Sequence, residues 1–289
     1  MRSGRFSEGR HITDVVTGID TAIAMFRKAD ALADLTDLPN RANIPAKFAG
    51  AAKQWAGVRL RYYCMAYNTS KIKKSEMPNT WDDLKSTKEL QGNKVALWYG
   101  VASWLLPLWG EKGTKWGAQF TKDLYETLKA ERRKEGMTAL TSLTAAGEFS
   151  AVLSVAAYQV TNLQKKGAPI AFHCPDTVMV TASSFGVLKN NPHMNASKLY
   201  LNWLLSMEGQ LSQYRNIGAP PIHKDLQYKD FVPFPEEVLG KTLAFRDPAL
   251  LGSTLTALNK VWKPYWEGDG GPKGKGRSRG KAKKSKKKN

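Results

Sequence analysis

Tyr158 closes the longest apolar run of the chain, "SAVLSVAAY" (150–158), where a buried strand would not require a phenol. Its ring and hydroxyl mark it either as packing or as part of a binding site. Other residues able to do chemistry are thinly scattered. Histidines stand at 11, 173, 193 and 223 and cysteines at 64 and 174, with no spacing of a nucleophile–base pair or a metal cluster. There is no GxGxxG, no GKS or GKT phosphate loop, no HExxH and no GxSxG. No catalytic residue, resident metal or cofactor is therefore expected. Cys64 and Cys174, far apart in sequence, read as two half-buried thiols in preference to a disulfide or ligand pair. A better binding candidate is the turn "VTGID" (16–20), with Thr17 and Gly18 at the carboxyl end of a short strand. Ligands gather at such ends in open α/β sheets.

The elements that would position these residues alternate. "HITDVV" (11–16) reads as a strand feeding a helix in which Ile19, Ile23, Phe26 and Leu32 recur at near-helical spacing. "GVRLRYYCMAYNT" (57–69) is a strand. "MPNTWDDL" (77–84) opens a short helix, with Thr80 and Asp83 placed as a capping box. "NKVALWYGVASW" (93–104) is a strand and loop leading to a helix from about Trp104. "TKWGAQFTKDLYETLKAERRKEG" (114–136) reads as one helix stopped by Gly136, and "MTALTSLTAAGE" (137–148) as a helix closing on Gly147. "TASSFGVLK" (181–189) is a strand, "NPHMNASKLYLNWLLSMEGQLSQYRN" (191–216) one helix or two, and "ALLGSTLTALNKVWKPYW" (249–266) a closing amphipathic helix. Alternation of this kind implies a mixed α/β fold with largely parallel sheets.

At 289 residues the chain can form one large domain or two lobes. Its formal charge of +19 is unevenly spread. The stretch 268–289 carries ten Lys/Arg and one Asp, or +9, which leaves 34 Lys/Arg and 24 acids, or +10, for residues 1–267. This low-complexity tail lacks apolar residues for a core and aromatics for base stacking, and reads as a solvated extension. Its cations could also contact nucleic acid or anionic lipid. No apolar run approaches the ~20 residues of a membrane span, and "RSGRFSEGRHITD" after Met1 is no signal peptide.

Five segments in order give the chain a family likeness: "AYNTSKIKKSEMPNTWDDLKSTKELQGNKVAL", with its Tyr-Asn-Thr, Pro-x-x-Trp-x-Asp-Leu and following Gly, "AAGE" (145–148), "KKGAPI" (165–170), the 191–210 stretch and "IGAPP" (217–221). Over about residues 12–265 the chain resembles the extracellular solute-binding proteins of ABC transporters, family 1, the group that includes ferric-ion-binding proteins. The resemblance implies a two-lobe type II periplasmic-binding-protein fold with a hinge. The first strand and helix of lobe 1 are expected to be missing. Lobe 1 would comprise residues 1–64 and 186–267, including the closing helix, and lobe 2 residues 65–185, with "RYYCMAYN" and "VTASSFGVLK" crossing between them. It further implies a monomer in the periplasm or at the cell surface, handing its solute to an ABC permease.

Ferric relatives place two adjacent tyrosines after "AGE"; here those positions fall on Ala157 and Tyr158, so one of the pair is absent. By the resemblance Tyr158 faces the cleft, with a small anionic solute as the expected guest. "WYGVAS" (98–103) matches a loop of the family that precedes a helix. Free backbone N–H groups and the helix dipole favour an anion there, aided by Ser103. Tyr99 and Trp104 could wall the site, although such residues more often fill cores, and Ser183 would add a hydroxyl at the second crossing. The alternatives are a ferric-iron carrier using Tyr158 as its metal ligand, and a non-exported relic binding nucleic acid through its tail.

Overall fold

The computed structural model describes residues 13–50, 53–226, 228–246, 252–268 and 271–274. His11 and most of the basic tail lie outside the described residues. Eight strands form one mixed sheet in the order β1-β7-β2-β5-β3-β4, with β6 added beside β2 and β8 beside β7. The strands are β1 (Val15–Gly18), β2 (Ala56–Asn68), β3 (Val95–Trp98), β4 (Glu131–Arg133), β5 (Ala151–Ala156), β6 (Ile170–His173), β7 (Val178–Val187) and β8 (Leu243–Phe245). The helices are α1 (Asp20–Lys28), α2 (Leu105–Lys112), α3 (Thr114–Glu126), α4 (Met137–Ala145), α5 (Ala157–Gln164), α6 (Met194–Leu204), α7 (Met207–Ile217), α8 (Pro235–Val238) and α9 (Ser253–Glu267).

The expected parallel sheet is only partly present. Every pairing of β2 and the β1–β7 pairing are antiparallel, while β3–β4, β3–β5 and β7–β8 are parallel. The reason is the length of β2. Its first half pairs with β7 and its second with β5 and β6, so it runs through the middle of the sheet against the direction of its neighbours.

Side chains of β2 alternate between two apolar clusters, as a strand buried on both faces must. Val58, Leu60, Tyr62, Cys64 and Ala66 enter one, and Tyr63, Met65 and Tyr67 the other. The second cluster is rich in indoles, and Trp81, Trp104, Trp109 and Trp262 are essentially inaccessible. α9 contributes Leu258, Trp262 and Trp266 to it. The sequence grouped this closing helix with the first lobe, yet it packs against α2 and α3, which lie in the segment read as the second.

Two local expectations change. The stretch 114–136 is not one helix. α3 ends at Glu126, Lys129 adopts φ 55°, and Glu131–Arg133 become an edge strand beside β3. Buried Leu128 and Ala130 hold that reversal in place. Cys64 and Cys174 are not separate thiols but a disulfide with Cα atoms 4.9 Å apart. β2 and β6 pair with Met65 opposite His173, so the next antiparallel pair is Cys64 opposite Cys174. The 191–216 stretch resolves into two helices, α6 and α7, with Ser206 capping the second through Gly209 N–H at 3.1 Å. The capping box forms as expected: Thr80 N–H donates to Asp83 Oδ2 at 2.9 Å and Asp83 N–H to Thr80 Oγ1 at 3.2 Å.

Candidate functional site

The site is built where β2 and β7 run side by side. Along β2 the face that carries Tyr63, Met65 and Tyr67 presents Arg61 and Arg59 one and two alternate positions earlier. Antiparallel register sets Ser183 opposite Arg59 and Thr181 opposite Arg61, and directly opposed residues share a face. The result is a polar band, two cations and two hydroxyls wide, in the middle of an otherwise apolar sheet.

Three further segments close on this band. β5 stops at Ala156, and Tyr158 stands in the first turn of α5, so the phenol ends no strand but opens a helix. α7 ends at Gly218 in the left-handed conformation, φ 66°, where a Cβ would meet the Cβ of Tyr158 at 3.7 Å. Beyond it the chain runs beside β2, with Leu60 N–H donating to Pro220 O at 2.8 Å and Arg59 bridged to Pro221. Arg59 Nη1 donates to Gln213 Oε1 of α7 at 2.7 Å, and its guanidinium lies 5.9 Å from the Phe185 ring.

The electrostatics are one-sided. No carboxylate among the described residues pairs with Arg59 or Arg61; Arg61 Nη1 reaches only the Tyr63 hydroxyl, at 3.5 Å. Burial and then the neighbouring Arg61 depress the pKa of Arg59, while the Tyr158, Tyr200 and Tyr63 phenols act the other way. Burial also works against the charge of Arg61, but Tyr63, as neighbour and hydrogen-bond partner, and Tyr158 outweigh it and raise the pKa. Both guanidiniums stay charged at any physiological pH. Arg61 Nε, Thr181 Oγ1 and Ser183 Oγ are buried without hydrogen-bond partners. Such orphans cost about 1–3 kcal/mol each when nothing reaches them; the buried hydroxyls of Ser154 on β5 and Ser184 on β7 share that state, so it is their place beside the two arginines that sets Thr181 and Ser183 apart.

The residues singled out from sequence fall into three groups. Tyr158 and Ser183 come together, around the two arginines. Thr17, exposed, and Gly18 flank β7 from its other side, opposite Phe185 and Ser184. Gly18 is needed as glycine, since a Cβ there would come within 2.7 Å of the Ala22 Cβ at the start of α1. Tyr99 and Ser103 follow β3, which is parallel to β5, so they lie toward the same strand ends as Tyr158. Ser103 is buried in a 3-10 turn, Val101–Ser103. Tyr99 is half exposed, edge-on to Trp266 at 5.4 Å. Trp104 is fully enclosed between Trp81 and Trp262, at 6.3 and 6.2 Å, and presents no open ring face.

Sequence reasoning passed over Arg59, Arg61, Thr181 and Gln213. The first two carried a signal: arginines at alternate positions of a strand whose same face is otherwise apolar.

The match to known proteins agrees with this architecture. The profile of the family described as bacterial extracellular solute-binding protein matches residues 6–238. The chain belongs to that family. Its members are transport receptors of ABC importers that pair with a permease, not enzymes, and they act outside the cytoplasm. None of the curated proteins matches the sequence. Among solved structures, iron-bound HitA from Pseudomonas aeruginosa is 21% identical with a TM-score of 0.73, over 91% of this chain and 86% of that one. MotA from A. tumefaciens, in complex with glucopine, is 16% identical with a TM-score of 0.71, over 91% and 86%. AfuA from Actinobacillus pleuropneumoniae, with fructose-6-phosphate bound, is 17% identical with a TM-score of 0.70, over 91% and 84%. The shared fold is the two-lobe fold of periplasmic binding proteins.

Proposed function

We propose that the chain captures a small anionic solute between its lobes and presents it to an ABC permease. The observation that carries this reading is the pair Arg59 and Arg61, half-buried, without carboxylate partners, beside the orphaned hydroxyls of Thr181 and Ser183. Charge-assisted hydrogen bonds from two guanidiniums suit a carboxylate or a phosphorus oxyanion. Tyr158 closes over the anion from the second lobe, and Gln213 and the turn at Gly218 from the first. Thr17, Gly18, Tyr99 and Ser103 belong to the rims of the same cleft. On this reading lobe 1 comprises residues up to 64 and 186–246, and lobe 2 residues 65–185 together with α9.

The ferric reading has less support. Two cations beside Tyr158 repel a trivalent metal, and Ala157 occupies the position of the second phenol. Among the described residues there is also no cluster of three or more His, Cys, Asp or Glu able to hold a metal. The test is isothermal titration of the purified chain with inorganic phosphate, citrate, fructose 6-phosphate and ferric ion, after native mass spectrometry of the sample as isolated. The expected result is retention or binding of an anion, weakened about 10- to 150-fold by Arg61→Ala, the equivalent of 1.5–3 kcal/mol for hydrogen bonds to a charged group. Ferric ion bound without any anion, or unchanged anion affinity in Arg61→Ala, overturns the proposal.

A further inference from the structure

The polar band on β2 and β7 sets a charge requirement. Arg59 and Arg61 bring two cations, and no carboxylate among the described residues pairs with either. Arg59 Nη1 donates to the neutral amide oxygen of Gln213 at 2.7 Å, and Arg61 Nη1 reaches the Tyr63 hydroxyl at 3.5 Å. A solute with one negative charge leaves one of these cations uncompensated when the cleft shuts over it. Excluding water from an unpaired charge is costly, because nothing replaces the lost hydration. Two negative charges on one small group balance the band.

The donors of the band also point to the shape of that group. Register puts Ser183 opposite Arg59 and Thr181 opposite Arg61, so four donor side chains spring from a patch about 5 Å across the strands and about 7 Å along them. Thr181 and Ser183 are 1% and 0% exposed, and their hydroxyls lack partners, as does Arg61 Nε. A carboxylate presents two oxygens in one plane. A phosphoryl head presents three, spread around a tetrahedron, so it accepts from donors on both strands at once. A sulfate ester shares the three oxygens but carries a single charge.

Building on the reading of the cleft as an anion seat, we propose that Arg59, Arg61, Thr181 and Ser183 hold the doubly charged phosphorus head of a small organic phosphate or phosphonate. The two hydroxyls are kept in the sheet for that head: without it they destabilise the fold, and apolar isosteres would remove the penalty. The charge requirement makes capture depend on pH through the ligand. The second ionisation of a phosphate monoester lies at about pH 6, so the dianion falls from nearly the whole population at about pH 8 to about a tenth at pH 5. Around the seat stand Arg59, Arg61 and the phenols of Tyr63, Tyr158 and Tyr200, with neutral Gln213 from α7. None of these is a histidine or a carboxylate, the side chains that ordinarily titrate near that range.

The test is isothermal titration of the full chain, and of Thr181→Val/Ser183→Ala, with methyl phosphate, methyl sulfate, acetate, malonate and citrate at about pH 8 and pH 5. At the higher pH methyl phosphate is expected to bind at least about tenfold more tightly than methyl sulfate, acetate or malonate. It should lose about tenfold at the lower pH, where methyl sulfate binds as before. The double variant should lose at least about tenfold in methyl phosphate affinity while its unfolding midpoint stays level or rises. Methyl sulfate, acetate or malonate binding as tightly as methyl phosphate overturns the assignment of the head group and leaves anion capture standing. So does an equal methyl phosphate affinity at both pH values, or full affinity in the double variant. If none of the five anions binds, citrate included, the anion reading of the cleft falls as well.

Discussion

Removing the Cys64–Cys174 disulfide tests the register of the whole sheet, because the bond exists only if β2 and β6 pair as described. The bridge closes a loop of 110 residues. In the chain-entropy account, cross-linking removes about 2.1 plus 1.5R ln n cal/mol/K from the unfolded chain. For n of 110 this comes to roughly 16 cal/mol/K, or ~5 kcal/mol at 25 °C, a large share of a domain's typical 5–15 kcal/mol. Both cysteines are fully buried, and in Cys64→Ala/Cys174→Ala the lost sulfurs add a small cavity term of the same sign. Urea unfolding should show the midpoint of the double variant falling by roughly 2 M for an m-value between 2 and 3 kcal/mol/M. A reducing agent should reproduce the shift in the parent and leave the variant unmoved. Thiol titration of the unreduced, denatured parent should find no free thiol. Two free thiols, or a loss under about 1 kcal/mol, would refute the pairing. A bond of this kind also belongs in an oxidising compartment, as the family assignment requires.

Glu237 supplies a second prediction, about pH. Its carboxylate is buried, 2.7 Å from Lys74 Nζ and 3.1 Å from His173 Nδ1, and accepts the Cys174 N–H at 3.1 Å. Burial pushes its pKa up, but the hydrogen bonds from His173, Lys74 and the Cys174 N–H outweigh it and hold the group at about 2, against 4.5 unperturbed. A depressed carboxyl stabilises the fold above its unfolded pKa and loses that contribution as pH falls from about 4.5 through 2, roughly 3 kcal/mol in all. Glu237→Gln should therefore lose about 3 kcal/mol at pH 7, by removing the charged acceptor of the buried His173 ring and the Cys174 N–H while Lys74 stays solvated, and flatten the acid limb of a stability–pH curve. An acid limb identical to the parent's would contradict this account. Gly209 supplies a third. A Cβ there would stand 2.0 Å from the Trp203 carbonyl oxygen, backbone that cannot move aside, so Gly209→Ala must pry apart the α6–α7 corner. A cost near 3 kcal/mol lowers Tm by roughly 6–12 °C, and a variant melting within 1 °C of the parent would show the corner to be plastic.

What could be read from the sequence was local. Aromatic-rich composition located β2, a closing glycine α4 and amphipathic character α9, and the Thr80–Asp83 box announced itself by spacing alone. The ordered landmarks around "AYNTS" and "IGAPP" carried the fold. Long-range register was out of reach. Nothing in the spacing of Cys64 and Cys174 reveals that β2 and β6 lie antiparallel with those two residues opposed. The helix-forming composition of 114–136 hid a strand, because its break depends on Leu128 and Ala130 finding a core built by distant residues. Tyr158 and Ser183 were singled out one at a time, whereas Arg59 and Arg61 gain meaning only once β7 sets hydroxyls opposite them.

The placement of the arginines bears on how closure would work. Arg59 and Arg61 stand two steps apart on one strand, about 7 Å, and at an effective dielectric near 20 their repulsion is about 2 kcal/mol. An anion bridging them relieves that repulsion and adds charge-assisted hydrogen bonds of about 1.5–3 kcal/mol each. These gains set affinity, but β2 and β7 form the floor of the site whether the lobes are open or shut. A ligand that touched only the floor would bind both states equally and shift nothing. On the proposed reading the conformational signal must come from a group that approaches only on closing, which is Tyr158 at the start of α5 on the second lobe; Gln213 and Gly218 stand on the same lobe as the arginines, and Gln213 already accepts from Arg59 Nη1. The floor would then hold a small oxyanion, and the rest of the solute would decide, by its reach to Tyr158, whether the permease is told that the receptor is full.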